Sequence, residues 1–199
     1  MDRQTLIRKF DKQAKKYNQR RENHHAYKFR QRIFQEANGK VLEASIGAGL
    51  NFPHFNRNIE LTGIDFSHEM LRMARKAAKN YPFKTTFIQE DVESIELKPN
   101  SFDTIVSSGS LCAYQNPVQV LNNFQKWCKP GGKILLLEHG ICTNKILGSM
   151  QKLCNPFMLK LAGCHQDRNI TDIVKSSNLK IVREERYFGG YLYLIWAKP

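Results

Sequence analysis

Between residues 40 and 140 the chain alternates short apolar runs with segments of helical spacing, and this alternation limits its possible folds more than any other feature. One helix is predicted in "HEMLRMARKAAKN" (68–80), after the capping residue Ser67, and another in "NPVQVLNNFQKWC" (116–128). Strands and helices in turn predict an α/β fold with a parallel sheet and right-handed crossovers. The predicted strands are residues 40–45, 59–67, 84–92, 102–108 and, after a turn at "KPGG", 133–140.

The C-terminal end departs from this alternation. "LKIVREERYFGGYLYLIWAKP" (179–199) contains two strand-like runs joined at Gly189 and Gly190, which predicts an antiparallel hairpin. Residues 140–178 are too long for a simple loop, so we expect helices there that shape the substrate side of a pocket. Nothing in residues 1–199 resembles a linker or a repeat, and we expect a single domain.

Much of the net charge of +13 lies at the start of the chain, where residues 1–40 hold twelve basic and four acidic side chains. Residues 1–37 are predicted to form a basic helical segment, with an amphipathic helix over 3–21 and a second helix over 24–37. Three interpretations of the first helix are open: a helix packed on the domain, a lid over a ligand, or a helix at a membrane surface.

The cysteines are odd in number and form no Cys-x-x-Cys pair, which argues against a disulfide framework or a zinc knuckle. The adjacent His24 and His25 diverge on a helix, and we expect no metal site. No apolar run is long enough to span a bilayer. These features predict a cytoplasmic protein, with peripheral membrane contact through the basic N-terminal helix as an open alternative.

The segment "VLEASIGAGLNF" (41–52) suggests a ligand site at the end of the first strand. Gly47 and Gly49 permit a sharp turn there, although two glycines alone are weak evidence of ligand binding. Asp65 ends the second predicted strand and Asp91 the third, and their carboxylates suit ribose hydroxyls and an adenine amine. Three successive strand ends thus predict a site for an adenosine-containing cofactor.

Two residues favour one such cofactor over another. The third glycine of a dinucleotide-binding turn is replaced by Phe52, which argues against NAD. Glu43 points a carboxylate toward the turn, where it would repel a pyrophosphate but suit a cation. S-adenosylmethionine (SAM) carries a sulfonium and an ammonium group, so the electrostatics favour SAM.

The motifs "VLEASIGAGLNF", "LTGIDFSHEMLRMARKAA", "QEDVESI" and "FDTIVSSGSLCAYQNPVQVLNNFQKWCKPGGKILLLEHG" together resemble those of class I SAM-dependent methyltransferases. The closest pattern is the branch of ubiquinone/menaquinone C-methyltransferases, phosphatidylethanolamine N-methyltransferases and methyltransferase-like thiol methyltransferases. The resemblance implies a Rossmann-like sheet of seven strands in the order 3-2-1-4-5-7-6, flanked by helices, with only the last hairpin antiparallel.

The resemblance also implies which residues bind SAM. Its methionine part, ribose and adenine would be contacted by Glu43, Ser45, Gly47, Gly49, Asp65, Phe66, Met70, Asp91, Val92 and Ser107. Ser45 stands where the family usually has its first glycine. A serine there costs little if its backbone φ is negative, since only a positive φ or a very close contact demands glycine.

The methyl acceptor is less constrained than the cofactor. Methyl transfer from a sulfonium mainly requires alignment and exclusion of water, so no catalytic residue is assigned, and His139 and Tyr17 are candidates only. Cys112, Tyr114 and Arg168 are further candidates for the pocket wall. We expect a small-molecule or lipid acceptor of thiol, amine or quinol type. The alternatives are an RNA-directed methyltransferase, disfavoured because no Asn/Asp-Pro-Pro-Tyr motif follows the fourth strand, and a SAM-binding regulator without turnover.

Overall fold

The computed structural model describes residues 3–19 and 26–199. Its centre is a seven-stranded sheet in the order β3-β2-β1-β4-β5-β7-β6, which confirms the predicted topology. Strands β1 to β5 are parallel, and β7 pairs antiparallel with both β5 and β6. The strands are β1 (Lys40–Ala44), β2 (Glu60–Asp65), β3 (Lys84–Gln89), β4 (Phe102–Ser108), β5 (Cys128–His139), β6 (Lys180–Tyr187) and β7 (Leu192–Lys198).

Two strand boundaries differ from the prediction by three residues or more, and the others by at most two. β3 ends at Gln89, because Asp91 begins a turn in which its carbonyl accepts hydrogen bonds from the amides of Ser94 and Ile95. β5 begins at Cys128, which pairs with the first residue of β4, so "KPGG" lies within an irregular strand and not in a separate turn.

Six α-helices surround the sheet in the described residues. Ser67 caps α3 as predicted, since its side chain accepts a hydrogen bond from the Met70 amide at 3.1 Å. Of the predicted second helix, His24 and His25 lie outside the described residues. The helices are α1 (Arg3–Gln19), α2 (Tyr27–Phe34), α3 (His68–Ala78), α4 (Pro117–Trp127), α5 (Lys145–Ala162) and α6 (Ile170–Lys175).

Apolar side chains bury the sheet on both faces. Phe34 and Leu71 belong to the core on one face, beneath α2 and α3, and Phe124 and Trp127 of α4 belong to the core on the other. Both faces of the parallel strands are therefore covered, as expected for this class of sheet. The carboxyl ends of the strands remain open to the loops that form the site.

Residues 140–178 contain α5 and α6. The Asn144 side chain caps α5, and Gly163 ends it in the left-handed conformation. Among the described residues, no helix combines the length and apolarity needed to cross a bilayer.

Candidate active site

Two adjacent cavities lie at the carboxyl ends of the parallel strands. The narrow cleft, of about 80 Å³, is lined by residues that include Ser45, Gly47 and Asp65. The wide cavity, of about 650 Å³, is lined by residues that include Glu138 and His139. The two share wall residues, namely Phe10, Tyr17, Ser108, Gly109 and Ala113. A molecule bound in one cavity would therefore adjoin a molecule bound in the other.

The turn after β1 answers the question that Ser45 raised. The backbone φ of Ser45 is +55°. The condition stated above for a serine of little cost, a negative φ, is therefore not met. Left-handed backbone disfavours any residue with a Cβ by about 1–2 kcal/mol. The Ser45 hydroxyl lies 2.9 Å from the Tyr114 hydroxyl, a hydrogen bond that glycine could not form and that offsets part of this strain. Gly47 and Gly49 also have positive φ, and a Cβ at Gly49 would lie 2.4 Å from the Phe52 ring.

Asp65 lies at the end of β2 with its carboxylate fixed by backbone donors. One oxygen accepts from the Gly47 amide and the other from the Ser67 amide, each at 2.8 Å. Burial raises the pKa of Asp65 to about 6, because desolvation outweighs these hydrogen bonds. Phe66 and Met70 line the same narrow cleft. These three predicted residues therefore come together.

Asp91 and Val92 are predicted to contact the adenine of a cofactor bound in the narrow cleft, and this stays a prediction. Neither belongs to its wall, and Val92 is buried in the core. Asp91 forms an ion pair with Arg3, whose guanidinium lies 4.7 Å from the centre of the Phe66 ring. Glu93, two residues later, does line the cleft. Glu93 is therefore a residue of this loop that the prediction did not include, whereas the role of Asp91 stays a prediction.

Glu43 and Arg30 form a buried polar pair beside the turn. Oε1 of Glu43 accepts from Asn51 at 2.6 Å, whereas Oε2 has no hydrogen-bond partner in the described part of the chain. Burial raises the pKa of Glu43 to about 8. Arg30 donates to Asn51 and, at 2.8 Å, to Ser108, and its buried Nε likewise lacks a partner among the described residues. A ligand with both an ammonium and a carboxylate would match these two atoms.

The sequence analysis missed Arg30. It lies on α2 next to Phe29, on the side of the helix that faces the domain. Burial lowers the pKa of Arg30 to about 10, so it stays charged at neutral pH. A basic residue inside the apolar stripe of a helix was the only sequence signal available, and the basic residues around it hid that signal.

Ser107 is buried, and its side chain forms hydrogen bonds within the protein. Its hydroxyl donates to Glu138 at 2.8 Å and lies 2.7 Å from the Ser110 hydroxyl. The second oxygen of Glu138 accepts from the amides of Ser110 and Leu111 at 2.9 and 3.2 Å. Burial raises the pKa of Glu138 to about 7. Ser107 and Glu138 thus hold the loop after β4, while the neighbouring Ser108 lines both cavities.

Helix α1 lies across the site. The Asp11 carboxylate accepts from the Ser67 hydroxyl and, at 3.2 Å, from the Glu69 amide, at the start of α3. Phe10 packs edge-on against Phe66 at 5.7 Å, and Phe10 and Tyr17 both line both cavities. The first helix therefore forms a wall of the site.

Cys112, His139 and Cys164 meet at the wall of the wide cavity. Their ligating atoms all lie within 4.8 Å of one another. The His139 ring stacks on Tyr191 with 5.4 Å between ring centres, and its buried Nδ1 has no hydrogen-bond partner among residues 3–19 and 26–199. The interaction between the two sulfurs lowers the pKa of Cys164, with His139 contributing, and together with burial raises the pKa of Cys112.

Comparison with known proteins agrees with this geometry. Residues 42–136 match a family model described as a methyltransferase domain. The chain is 28% identical to the phosphatidylethanolamine N-methyltransferase of Cereibacter sphaeroides, over 78% of this chain and 77% of that protein. It is 30% identical to the ubiquinone/menaquinone biosynthesis C-methyltransferase UbiE of Bdellovibrio bacteriovorus, over 64% of this chain. The chain spans 56% of that relative's length.

A solved structure shares the fold. A SAM-dependent methyltransferase from Aquifex aeolicus superposes with a TM-score of 0.68 at 16% identity, covering 94% of this chain and 97% of its own. The matched domain starts in β1 and ends in β5, so it includes the Asp65 cleft. The sheet order, the cleft at the strand ends and the matched domain agree: the chain contains a methyltransferase domain in the fold of SAM-dependent methyltransferases, and this domain implies SAM as the methyl donor.

Proposed function

We propose that the protein transfers the methyl group of SAM, bound along the narrow cleft and the adjoining wall of the wide cavity at Arg30, to a lipid or small-molecule acceptor bound in the rest of the wide cavity. The observation that supports this most directly is the wide cavity itself. Its 650 Å³ is within the range of small-molecule sites, and it adjoins the cleft that contains Asp65. Much of its wall is apolar, including Phe10, Leu50, Phe188 and Leu192. Such a wall suits the hydrocarbon portion of an acceptor.

In this proposal the two ends of the cofactor are held by different chemistry. Asp65 accepts hydrogen bonds from the ribose, and Phe66 and Met70 flank the adenosine. At the other end, Oε2 of Glu43 binds the ammonium and Nε of Arg30 binds the carboxylate, since neither atom has a partner among the residues that the structure describes. Both atoms are buried, where charge-assisted hydrogen bonds are strong.

The remaining proposed roles are structural. Ser45, Gly47 and Gly49 shape the turn that faces the methionine part of SAM, and Ser107 fixes the loop after β4. Asp91 and Val92 support the adenine end from behind, through Arg3 and the core respectively.

The transfer needs an aligned acceptor and a dry site. SAM supplies an electrophilic methyl group, and the chain orients the acceptor and excludes water. Tyr17 borders both cavities, so it can contact the acceptor beside the methyl group. His139 borders only the wide cavity, where its side chain can contact the acceptor.

We further propose that the acceptor reaches the site from an anionic membrane, and that α5 contacts this membrane. The support is an apolar stripe on α5 whose side chains are between 48% and 83% exposed. At helical spacing these side chains share one face. The stripe consists of Ile146, Leu147, Met150, Leu153, Phe157 and Leu161. Isolated exposed apolar residues are common, but six on one face of a helix indicate an interaction surface.

Charge and position favour a lipid surface as the occupant of the α5 stripe. Helix α5 contains three lysines and no acidic residue, which suits anionic headgroups. Lys9 of the basic α1 donates to the carbonyls of Lys160 and Leu161, so α1 and α5 are in contact at this point. Ala162, the last residue of α5, lines the wide cavity. The stripe therefore leads to the acceptor cavity.

The relatives support a lipid or lipophilic acceptor by their names alone. One is a phosphatidylethanolamine N-methyltransferase, and the other is a C-methyltransferase of ubiquinone and menaquinone biosynthesis. The basic α1 keeps an RNA acceptor as the alternative that the experiment must include.

The test is transfer of labelled methyl from SAM to phosphatidylethanolamine in anionic vesicles, a reduced quinone, an alkyl thiol and tRNA. We expect transfer to at least one of the first three. Transfer only to tRNA would establish the RNA alternative. SAM binding without formation of S-adenosylhomocysteine with any acceptor would identify a regulator without turnover.

The membrane contact has its own test. Phe157→Glu, in the middle of the stripe, should weaken sedimentation with anionic vesicles about tenfold or more, because a charge replaces an exposed aromatic ring that would enter the lipid. Val182→Glu is the matched control, since Val182 is also an exposed apolar residue but lies on β6. Equal loss in both variants, or in neither, would refute docking through α5.

A further inference from the structure

We propose that Cys112, His139 and Cys164 bind a Zn²⁺ ion, and that the ion's fourth coordination position faces the acceptor cavity. The binding of the ion stands on the cluster's own geometry. The use of its fourth position rests on the proposed function, because it assumes that the acceptor occupies the wide cavity.

The fold gathers the three ligands from separate elements. Cys112 lies in the loop after β4, His139 is the last residue of β5, and Cys164 follows α5. Nε2 of His139 is 4.0 Å from Sγ of Cys164, and all three ligating atoms are within 4.8 Å of one another. Around tetrahedral zinc, sulfur and nitrogen ligands lie roughly 3.5–3.8 Å apart. Small side-chain rotations would therefore complete the site.

The backbone and neighbours already hold the ligands in place. The Cys112 carbonyl accepts from the His165 amide at 2.9 Å, which joins the two cysteine-bearing loops. Gln166 donates from Nε2 to the Cys164 sulfur at 3.1 Å, the kind of outer hydrogen bond that stabilises a metal-bound thiolate. Stacking on Tyr191 restrains the His139 ring.

Two thiolates and one imidazole are a ligand set of catalytic zinc sites, in which the fourth position stays open for water or substrate. All three residues line the wide cavity, so this position faces the cavity. Thiolates are among the ligands that zinc binds well, and we infer that the acceptor is a thiol.

The chemistry balances without a redox partner. The acceptor thiol loses its proton to solvent as its sulfur binds zinc, and a lone pair of that sulfur then forms the new bond to the methyl carbon. The bond between methyl and sulfonium breaks with its electrons remaining on the cofactor sulfur. Zinc favours the thiolate at neutral pH and keeps its oxidation state throughout.

The binding test uses the full chain, stripped with a chelator, kept reduced and titrated with Co²⁺. We expect one Co²⁺ per chain, sulfur-to-cobalt charge-transfer absorption, the intense visible bands of tetrahedral cobalt, and displacement by Zn²⁺. Cys112→Ser, His139→Gln and Cys164→Ser should each weaken Co²⁺ binding at least tenfold. Cys154→Ser is the matched control, because Cys154 is exposed on α5, and it should bind Co²⁺ as the unmodified chain does.

Calorimetric binding of S-adenosylhomocysteine shows that each variant has folded. If a ligand variant fails this check, the Co²⁺ titration of the unmodified protein is used instead. Absence of the charge-transfer band in the unmodified protein overturns the proposed metal site. Persistence of that band in a folded Cys112→Ser/Cys164→Ser variant overturns it equally. Equal thiol methylation by stripped and zinc-loaded protein refutes the acceptor role. A cobalt spectrum with the expected variant pattern, but no methylated acceptor, upholds the metal site and refutes the proposed function.

Discussion

If the buried Glu43 carboxyl binds the cofactor as proposed, its raised pKa predicts how cofactor binding depends on pH. Its pKa is raised to about 8 by burial, although Asn51 and Arg30 favour the charged form. At pH 7 only about one tenth of the free protein would therefore have Glu43 ionised. If the ionised form binds the ammonium of the cofactor, binding at pH 7 must first remove a proton, which costs about 1.4 kcal/mol. Affinity should thus be about tenfold lower at pH 7 than with Glu43 fully ionised.

Glu43→Gln isolates this effect, because glutamine can still accept the hydrogen bond from Asn51 but cannot ionise. The ammonium of the ligand also titrates at alkaline pH, so the useful quantity is the ratio of the two affinities for S-adenosylhomocysteine. We expect the ratio of unmodified to variant affinity to rise about tenfold from pH 7 to pH 9. Calorimetry in two buffers of different ionisation enthalpy should also show close to one proton released at pH 7 by the unmodified protein, beyond any release by the variant.

The raised pKa of Glu43 also predicts how the stability of the ligand-free protein depends on pH. The folded pKa of Glu43, about 8, exceeds the ordinary value of 4.5, so the folded state binds this proton more tightly than the unfolded state. The resulting stabilisation is complete below about pH 4.5 and is lost as pH rises to 8, by at most about 1.4 kcal/mol per pH unit. Relative to the unmodified protein, Glu43→Gln should gain thermal stability over this range. A pH-independent affinity ratio together with parallel stability profiles would refute the reasoning.

Three further substitutions test the geometry of the site. Ser45→Ala removes the hydrogen bond to Tyr114 but keeps the left-handed strain, so it should lower the free energy of unfolding by about 1 kcal/mol. In a double-mutant cycle with Tyr114→Phe, strict additivity would contradict this contact. Asp65→Asn should weaken S-adenosylhomocysteine binding by about 1.5–3 kcal/mol, and unchanged calorimetric affinity would remove Asp65 from the cofactor site. Asp11→Ala removes the contact of α1 with the start of α3 and should speed dissociation of S-adenosylhomocysteine in stopped-flow measurements, whereas an unchanged rate would exclude α1 from ligand release.

The topology could be predicted because its signals are local. The apolar runs, the Ser67 cap and the glycines of the last hairpin each act within a few residues, and the order of strands followed from the family resemblance. Asp65 was predictable for the same reason, since the end of a strand fixes where its side chain lies.

What the sequence could not reveal depends on contacts between distant residues. Arg30 approaches Ser108 across 78 positions, and no pattern around either residue indicates this pairing. The cluster of Cys112, His139 and Cys164 was not predicted for the same reason. Its three ligands come from separate elements, and closely spaced cysteines in the sequence do not indicate such a site. The positive φ of Ser45 is also invisible in sequence, since the hydroxyl that offsets it bonds to a residue 69 positions away.

Ser67 has a consequence for the order of events in a catalytic cycle. Its amide holds the Asp65 carboxylate, and its hydroxyl binds Asp11 of α1. Detachment of α1 therefore disturbs the residue that orients the proposed ribose-binding group. We therefore expect departure of the spent cofactor to be coupled to release of the helix, in which case the time that α1 stays bound would limit the rate of turnover.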